Sequence, residues 1–294
     1  MTAKLGFIGV GVMGEPMCRN LALKSGASVM AADVRPEPLQ RLSEYGVTTT
    51  DSIAEIARGS DIVFLSLPGG TELETICSQA GGLLECARSG QVFVDCSTSP
   101  VKLTRDLAFR FQSLGAGFAD APVARTRAAA EAGTLSIMVG ASRTVFEQIR
   151  SYLTCCAAEV THCGDVGAGQ VVKLMNNMVL FQTVVALAEA LTIARHAGID
   201  GETLFATLTK GSADSFALRN HGMKALLPGV FPERAFPTEY ALKDLSYALE
   251  LAADGGLVAP GANNAREILQ QTVTAGHGAQ YFPALLNVID DVQS

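Results

Sequence analysis

Along the first half of the chain, short apolar runs typical of strands alternate with segments whose hydrophobic positions have helical spacing. Short runs such as Leu5–Ile8, 61–67 and 91–96 have the length of buried strands, and helical patterns separate them. Further strands are predicted at 28–33, 117–120, 134–139 and 159–162. Because strands alternate with helices, the pattern predicts a mostly parallel, doubly wound α/β sheet covered by helices on both faces.

The second half of the chain has helical periodicity only. One long pattern over 170–197 ends at Gly198. Shorter helices are predicted at 202–210, 215–226, 238–253, 261–275 and 280–292. The sequence therefore predicts an α/β domain over 1–164 and an all-α C-terminal domain over 165–294, joined by a long helix.

Composition and charge narrow the possible functions of these 294 residues. A net charge of -7 leaves no surplus of Lys and Arg for nucleic acid or an anionic membrane surface. The most apolar stretch, 178–194, contains Gln182, Thr183 and Glu189, so it predicts a buried helix rather than a membrane span. Seven cysteines without framework spacing, and no secretory leader, favour a cytoplasmic location. The four histidines are scattered along the chain without the spacing of metal ligands, so no metal site is predicted.

The segment from Gly9 to Gly14 matches the pattern G-x-G-x-x-G between a predicted strand and a predicted helix. In such a turn the glycines let the backbone approach a pyrophosphate at a helix N-terminus. Asp33 follows Gly14 by 19 residues, at the end of the next strand, where a carboxylate can bind an adenosine ribose. The first domain is therefore predicted to be Rossmann-type. The carboxylate favours NAD over NADP, although Arg35 leaves NADP as an alternative.

Four separated motifs make the whole chain resemble the β-hydroxyacid dehydrogenases, the family of 3-hydroxyisobutyrate dehydrogenase. The motifs are Phe7 to Met17, Asp120-Ala121-Pro122-Val123 with Gly133-Thr134-Leu135, Gly167-Ala168-Gly169 leading to Lys173-Leu174-Met175-Asn176-Asn177, and Leu242-Lys243-Asp244-Leu245. The resemblance implies an oxidoreductase that moves a hydride between NAD and a small anionic β-hydroxy acid or its semialdehyde. It also implies a homodimer or homotetramer.

Lys173 is the candidate catalytic residue, because hydride transfer at a substrate carbon needs a proton transfer at its oxygen. Asn176 and Asn177 follow by three and four residues and share the same helix face, where they are candidate substrate contacts. Without the resemblance, hydrogen bonds among these side chains and to neighbouring loops would explain them better.

The resemblance also implies a set of cofactor contacts. Thr98 lies beyond a strand end and is expected near both the nicotinamide and the substrate. The full set of predicted cofactor contacts is Gly9, Gly11, Val12, Met13, Gly14, Asp33, Leu67, Pro68, Thr98 and Lys243. Lys243 could equally be a solvated helix lysine.

The second motif, Asp120-Ala121-Pro122-Val123, resembles the substrate motif of the family, but the residues after it depart from the family pattern. Where that pattern continues as Ser-Gly-Gly, this chain has Ala124-Arg125-Thr126, followed by Arg127. A guanidinium is a rigid fork of donors suited to an oxyanion, so Arg125 is predicted to bind the substrate anion, with Thr126 beside it. Arg127 is predicted to be a surface charge. With an arginine at this position the motif resembles that of the sulfolactaldehyde reductase branch of the family. The anionic group of the substrate is therefore predicted to be a carboxylate or a sulfonate.

Four other functions compete with this one. A catalytically silent NAD-binding module is disfavoured because Lys173 is present. An NADP-preferring semialdehyde reductase of the same family remains open. Imine reductases usually replace the lysine, and 6-phosphogluconate dehydrogenases have a much longer helical half.

Overall fold

A computed structural model describes residues 3–233 and 235–291. The chain divides into two compact units, Met1–Lys173 and Leu174–Ser294. The first unit contains the sheet and the second is helical.

The sheet of the first unit has a doubly wound core. Its strands are β1 (Leu5–Ile8), β2 (Val29–Ala32), β3 (Thr48–Thr50), β4 (Ile62–Leu65), β5 (Val92–Asp95), β6 (Gly117–Asp120), β7 (Val123–Ala124), β8 (Leu135–Gly140) and β9 (Ala157–Gly164). They are ordered β3-β2-β1-β4-β5-β6-β8-β7, and β9 pairs with β8. The pairs from β3 through to β6 are parallel, whereas β8 runs antiparallel to β6 and β7.

Helices connect these strands and then make up the second unit. In the first unit they are α1 (Gly14–Lys24), α2 (Pro36–Ser43), α3 (Ile53–Gly59), α4 (Gly70–Ser78), α5 (Leu83–Cys86), α6 (Val101–Ser113), α7 (Arg127–Ala132) and α8 (Arg143–Leu153). The others are α9 (Ala168–His196), which continues from the first unit into the second, α10 (Gly201–Leu208), α11 (Thr238–Asp254), α12 (Pro260–Thr272) and α13 (Leu285–Asp291). Leu218–Leu226 and Val273–His277 are π-helical segments, and Phe282–Ala284 is a 3-10 turn.

Both faces of the sheet are buried, which explains why its strands read as continuous apolar runs. Alternate residues point to opposite faces. Phe7 and Phe64 belong to one hydrophobic cluster, whereas Ile8, Val63 and Leu65 belong to another. The predicted α/β fold with a helical C-terminal domain is confirmed.

Among the described residues, one helix is long and apolar enough by composition to cross a membrane. This helix is α9, and half of its most apolar window is buried inside the structure. Core helices of folded domains have the same length and composition.

Several details differ from the sequence prediction. The strand β3 consists of three threonines and β7 of two residues, too short for a periodic signal. Two helix starts also lack the polar cap residues that helices often have. Pro100 is the N-cap of α6, and the Ser99 hydroxyl before it donates to Asp95 Oδ2 at 2.9 Å. Gly69 is the N-cap of α4.

Candidate active site

The carboxyl ends of the parallel strands place the predicted cofactor residues along one edge of the sheet. The last residues of these strands form a row across the sheet: Ala32, Ile8, Leu65, Asp95 and Asp120. The loops that follow them carry most of the predicted first-unit site, and ligands of doubly wound sheets bind at this edge.

The glycine loop after β1 has the shape that a dinucleotide requires. Gly9 has a φ of +87°, and a β-carbon there would overlap the Ser66 carbonyl oxygen. A β-carbon on Gly14 would overlap the Gly9 carbonyl oxygen. At Gly11, by contrast, the nearest atom to such a carbon is Nη2 of Arg35, at 3.5 Å. Gly9 and Gly14 thus allow close backbone packing, while Gly11 leaves open space that a pyrophosphate can fill.

Asp33 joins the end of β2 to this loop. Its Oδ2 accepts a hydrogen bond from the Val10 N–H at 2.8 Å, and its Oδ1 accepts from the Arg35 N–H at 2.9 Å. The Arg35 guanidinium also lies 3.3 Å from Oδ1 and is 55% exposed, whereas the Asp33 side chain is 7% exposed. Of the other two loop residues, Val12 is exposed and Met13 is the N-cap of α1.

The loops after β4 and β5 are tied together. The Leu67 N–H donates to the Ser97 hydroxyl at 2.9 Å, which brings the segment of Leu67 and Pro68 next to Thr98. Leu67 and Thr98 are half-buried, and Pro68 is exposed. The structure thus brings these three residues to the same edge of the sheet as the glycine loop.

Lys173 lies one turn after Gln170, near the start of α9, and is half-buried. That start is bound to the end of β6, because Asp120 accepts hydrogen bonds from the Gly167 N–H at 2.6 Å and the Gln170 N–H at 2.7 Å. Burial raises the pKa of Asp120 to about 6, although these two backbone donors act in the opposite direction. Asp120 is the first residue of the second sequence motif, but the sequence alone predicted no role for it.

The residues of the substrate motif have unequal positions. Arg125 is exposed, and its φ of +88° is the one positive value at a non-glycine residue in the described chain. Its Nη1 donates to the Thr134 carbonyl at 2.7 Å. Thr126 is the N-cap of α7, where its hydroxyl accepts from the Ala129 N–H. Arg127 is an exposed partner of Glu131 at 2.9 Å on the same helix.

In the second unit a buried carboxylate holds two of the predicted residues. Asp244 Oδ2 accepts from the Asn177 side-chain amide at 2.7 Å, and Asp244 Oδ1 lies 3.1 Å from Lys243 Nζ. Asn177 is buried, whereas the exposed Asn176 donates to Asn177 Oδ1 at 3.0 Å. Asp244 was missed as a functional candidate, although its place directly after Lys243 in the fourth motif was a signal.

The surroundings of Lys243 are not those of a solvated lysine. Its ammonium lies 5.5 Å from the ring centre of Tyr240 and 5.3 Å from that of Tyr247. Its side chain is 24% exposed. Two aromatic faces and a carboxylate therefore hold the charge in place.

No group of three or more His, Cys, Asp or Glu side chains could hold a metal ion among residues 3–233 and 235–291. The first-unit geometry instead fits a dinucleotide. A glycine loop, a helix N-terminus and a carboxylate at the end of β2 lie at one sheet edge.

Comparison with known proteins agrees with that geometry. The family model of the NAD binding domain of 6-phosphogluconate dehydrogenase matches residues 4–164. The model of the NAD-binding domain of NADP-dependent 3-hydroxyisobutyrate dehydrogenase matches residues 167–289. The chain belongs to the β-hydroxyacid dehydrogenase family. It is therefore an NAD(P)-binding oxidoreductase that acts on CH–OH groups, as the sequence motifs predicted.

Individual relatives extend along nearly the whole chain. The 2-(hydroxymethyl)glutarate dehydrogenase of Eubacterium barkeri is 36% identical over 97% of this chain and 94% of its own length. The 2-hydroxy-3-oxopropionate reductase of Escherichia coli is 32% identical over 94% of this chain and 93% of its own length. A solved structure of Mycobacterium tuberculosis 3-hydroxyisobutyrate dehydrogenase with L-serine is 30% identical, has a TM-score of 0.89, and covers 98% of this chain and 99% of its own.

Proposed function

We propose that this enzyme interconverts a small anionic β-hydroxy acid and its semialdehyde with NAD, and that Lys173 is its general acid and base. One observation carries the proposal. Asp120 accepts hydrogen bonds from the helix turn that precedes Lys173. Asp120 lies at the same sheet edge as the glycine loop, Asp33 and Thr98, so Lys173 is held near that edge.

The chemistry requires a hydride acceptor and a proton acceptor. The glycine loop and Asp33 would hold NAD, whose nicotinamide would exchange a hydride with the carbinol carbon. As the C–H bond breaks, Lys173 in its amine form takes the hydroxyl proton, and in the reverse direction its ammonium returns that proton to the aldehyde oxygen. Asn176 and Asn177 orient the substrate. Asp244 restricts the Asn177 amide through the 2.7 Å hydrogen bond, so little rotamer freedom is lost when substrate binds.

We propose NAD rather than NADP as the cofactor. The Asp33 carboxylate places a negative charge beside the glycine loop, and such a charge repels a ribose 2′-phosphate. Arg35 supports the alternative, because its exposed guanidinium lies 3.5 Å from the β-carbon position of Gly11. Lys243 is assigned as a further cofactor contact.

Arg125 is proposed to bind the anionic group of the substrate, with Thr126 next to it. The left-handed backbone of Arg125 costs conformational energy that a glycine would avoid, which favours a role for its side chain. One guanidinium N–H donates to the Thr134 carbonyl and thereby fixes the orientation of the group. Carboxylates and sulfonates both fit such a planar set of donors.

We also propose a cytoplasmic homodimer or homotetramer without nucleic-acid or membrane partners. All seven cysteines are free thiols, which fits a reducing compartment. Leu257 and Val258 of the second unit are 69% and 81% exposed, and apolar side chains that protrude in this way are common at subunit contacts.

The test is turnover by the purified protein over a panel of three- to six-carbon β-hydroxy acids and semialdehydes. The panel holds matched carboxylates, sulfonates and uncharged analogues, each with NAD(H) and with NADP(H). We expect turnover of an anionic substrate, with NAD(H) preferred by the ratio of kcat/KM. Tight NADH binding without turnover of any member would instead support the silent module.

A further inference from the structure

We propose that Asp120, Gln170 and Asp95 form a buried brace that positions Lys173 relative to Thr98. We propose further that the glycines of Gly167-Ala168-Gly169 serve this brace and not a cofactor phosphate. The inference rests on the proposed function, because it takes Lys173 as the proton-transfer group.

The first part of the brace is a carboxylate at the N-terminus of α9. Asp120 is completely buried, and its two oxygens accept from the Gly167 and Gln170 N–H groups. A negative charge at this end of a helix also interacts favourably with the helix dipole. The carboxylate therefore fixes the first turn of α9, and Lys173 follows on the next turn.

Glycines make room for this carboxylate from two sides. A β-carbon on Gly169 would overlap the Met138 carbonyl oxygen, and it would lie 2.8 Å from Asp120 Oδ2 and 2.9 Å from the Gly140 N–H nitrogen. A β-carbon on Gly140, at the end of β8, would lie 2.8 Å from both the same oxygen and the Gly169 nitrogen. Gly167 has a φ of +93°, which side chains rarely adopt. The Asp120 carboxylate thus lies where side chains on Gly140 and Gly169 would otherwise extend.

Gln170 is the second part of the brace, and its side chain forms hydrogen bonds with both neighbours of Thr98. Its Oε1 accepts from the Ser99 N–H at 3.1 Å, and its Nε2 donates to the Ser97 carbonyl at 2.8 Å. Gln170 is completely buried. One side chain therefore links the backbone on each side of Thr98 to a position three residues before Lys173.

Asp95 completes the brace from the end of β5. Its Oδ1 accepts from the Ser97 N–H at 2.9 Å, and its Oδ2 accepts from the Ser99 hydroxyl at 2.9 Å. The Gln170 Nε2 lies 3.5 Å from the same Oδ2. Because Asp95 is also completely buried, the brace has no route to the substrate and acts only by positioning Thr98 and Lys173.

The experiment replaces Gln170 with Met, which keeps the length of the side chain and removes its hydrogen bonds. We expect kcat to fall by about 30-fold or more, while the Kd for NADH changes by less than about 3-fold. Because proton and hydride transfer would become slower than product release, the deuterium isotope effect on kcat from carbinol-deuterated substrate should rise towards its intrinsic value. A purely structural role would leave that isotope effect unchanged.

Two further variants keep the result interpretable. Ser142→Ala removes the N-cap of α8, where the Ser142 hydroxyl accepts from the Val145 N–H at 3.3 Å, and we expect a wild-type kcat from it. Ser99→Ala removes a single hydroxyl from the brace, so it tests the same idea if Gln170→Met does not fold. We expect it to lower kcat by about 3- to 10-fold.

Failure of this inference differs from failure of the proposed function. If Lys173→Ala is inactive but Gln170→Met and Ser99→Ala keep the wild-type kcat and isotope effect, the brace is wrong and the function stands. If Ser142→Ala lowers kcat as much as the brace variants do, general destabilisation explains all three and the brace is also wrong. If Lys173→Ala itself keeps wild-type turnover, the proposed function fails.

Discussion

Two glycine-rich helix starts in the first unit resemble each other in sequence but not in structure. Gly9 to Gly14 leads into α1, and Gly167 to Gly169 leads into α9. At α1 the N-cap Met13 makes no side-chain cap hydrogen bond, and a β-carbon position on Gly11 faces open space apart from Arg35. At α9 the buried Asp120 carboxylate already accepts two backbone hydrogen bonds.

The difference shows that glycines before a helix do not by themselves make a phosphate site. Both regions offer backbone donors and the positive end of a helix dipole. What decides between them is whether the protein supplies its own anion. We therefore expect changes at the first region to affect ligand binding and changes at the second to affect stability and kcat.

The largest expected effect breaks the first region. In Gly11→Asp the new β-carbon meets no backbone atom within 4 Å, and the added negative charge would repel the pyrophosphate that is expected beside the loop. The Kd for NADH, measured by fluorescence titration, should rise by about 100-fold or more. Thermal unfolding of the free protein should stay close to wild type. An unchanged Kd would show that the loop does not bind the cofactor.

The second prediction concerns the pH dependence of stability at the α9 region. Burial and the nearby Asp95 carboxylate raise the pKa of Asp120 to about 6, against an unfolded value of 3.8. Between these two values the folded chain holds a proton that the unfolded chain releases, so this group's contribution to stability falls as pH rises from 4 to 6.

Asp120→Asn should remove that slope. The free energy of unfolding of the variant minus that of wild type, from urea titrations, should rise by on the order of 2 kcal/mol across this range. The hydrogen bonds that the amide alters add an offset that does not depend on pH. A constant difference between pH 4 and 6.5 would contradict the assigned pKa.

A third prediction is the converse of the Gly11 substitution. In Gly169→Ala the new methyl group would overlap the Met138 carbonyl oxygen, and Asp120 Oδ2 and the Gly140 nitrogen also lie within 3.0 Å of its position. Overpacking of this kind should lower the free energy of unfolding by about 1 to 3 kcal/mol. The Kd for NADH should remain within about 3-fold of wild type. A large loss of NADH binding at wild-type stability would contradict the division between the two regions.

The smallest expected effect sharpens the cofactor preference of the first region. The exposed Arg35 guanidinium is the cation beside the loop that could contact a ribose 2′-phosphate, so Arg35→Ala should lower kcat/KM with NADPH by about 3- to 10-fold. The value with NADH should change by less than about 2-fold. A fall in kcat/KM with NADH but not with NADPH would contradict the proposal that Asp33 makes the enzyme prefer NAD.

Local sequence patterns were sufficient for much of the fold and for the family. The glycine loop, the buried strands and the long helix that carries Lys173 each depend on residues that are neighbours in the chain. The family resemblance added Lys243 through the fourth motif, and Thr98 through its place beyond a strand end.

Contacts between distant residues could not be predicted in this way. Asp120 binds N–H groups 47 and 50 residues away, and Asn177 binds Asp244 across 67 residues. No periodicity indicates which carboxylate will reach which helix. The left-handed backbone of Arg125 was equally hidden, because such a conformation usually requires glycine.

The central claim is that Lys173 is the general acid and base, and one variant tests it directly. Lys173→Ala should lower the single-turnover rate of hydride transfer by about 100-fold or more, with the Kd for NADH within about 3-fold of wild type. The exposed Lys210→Ala, on the same chain, serves as the matched control and should keep the wild-type rate. A Lys173→Ala enzyme that binds NADH and transfers hydride at the wild-type rate would contradict the proposed mechanism.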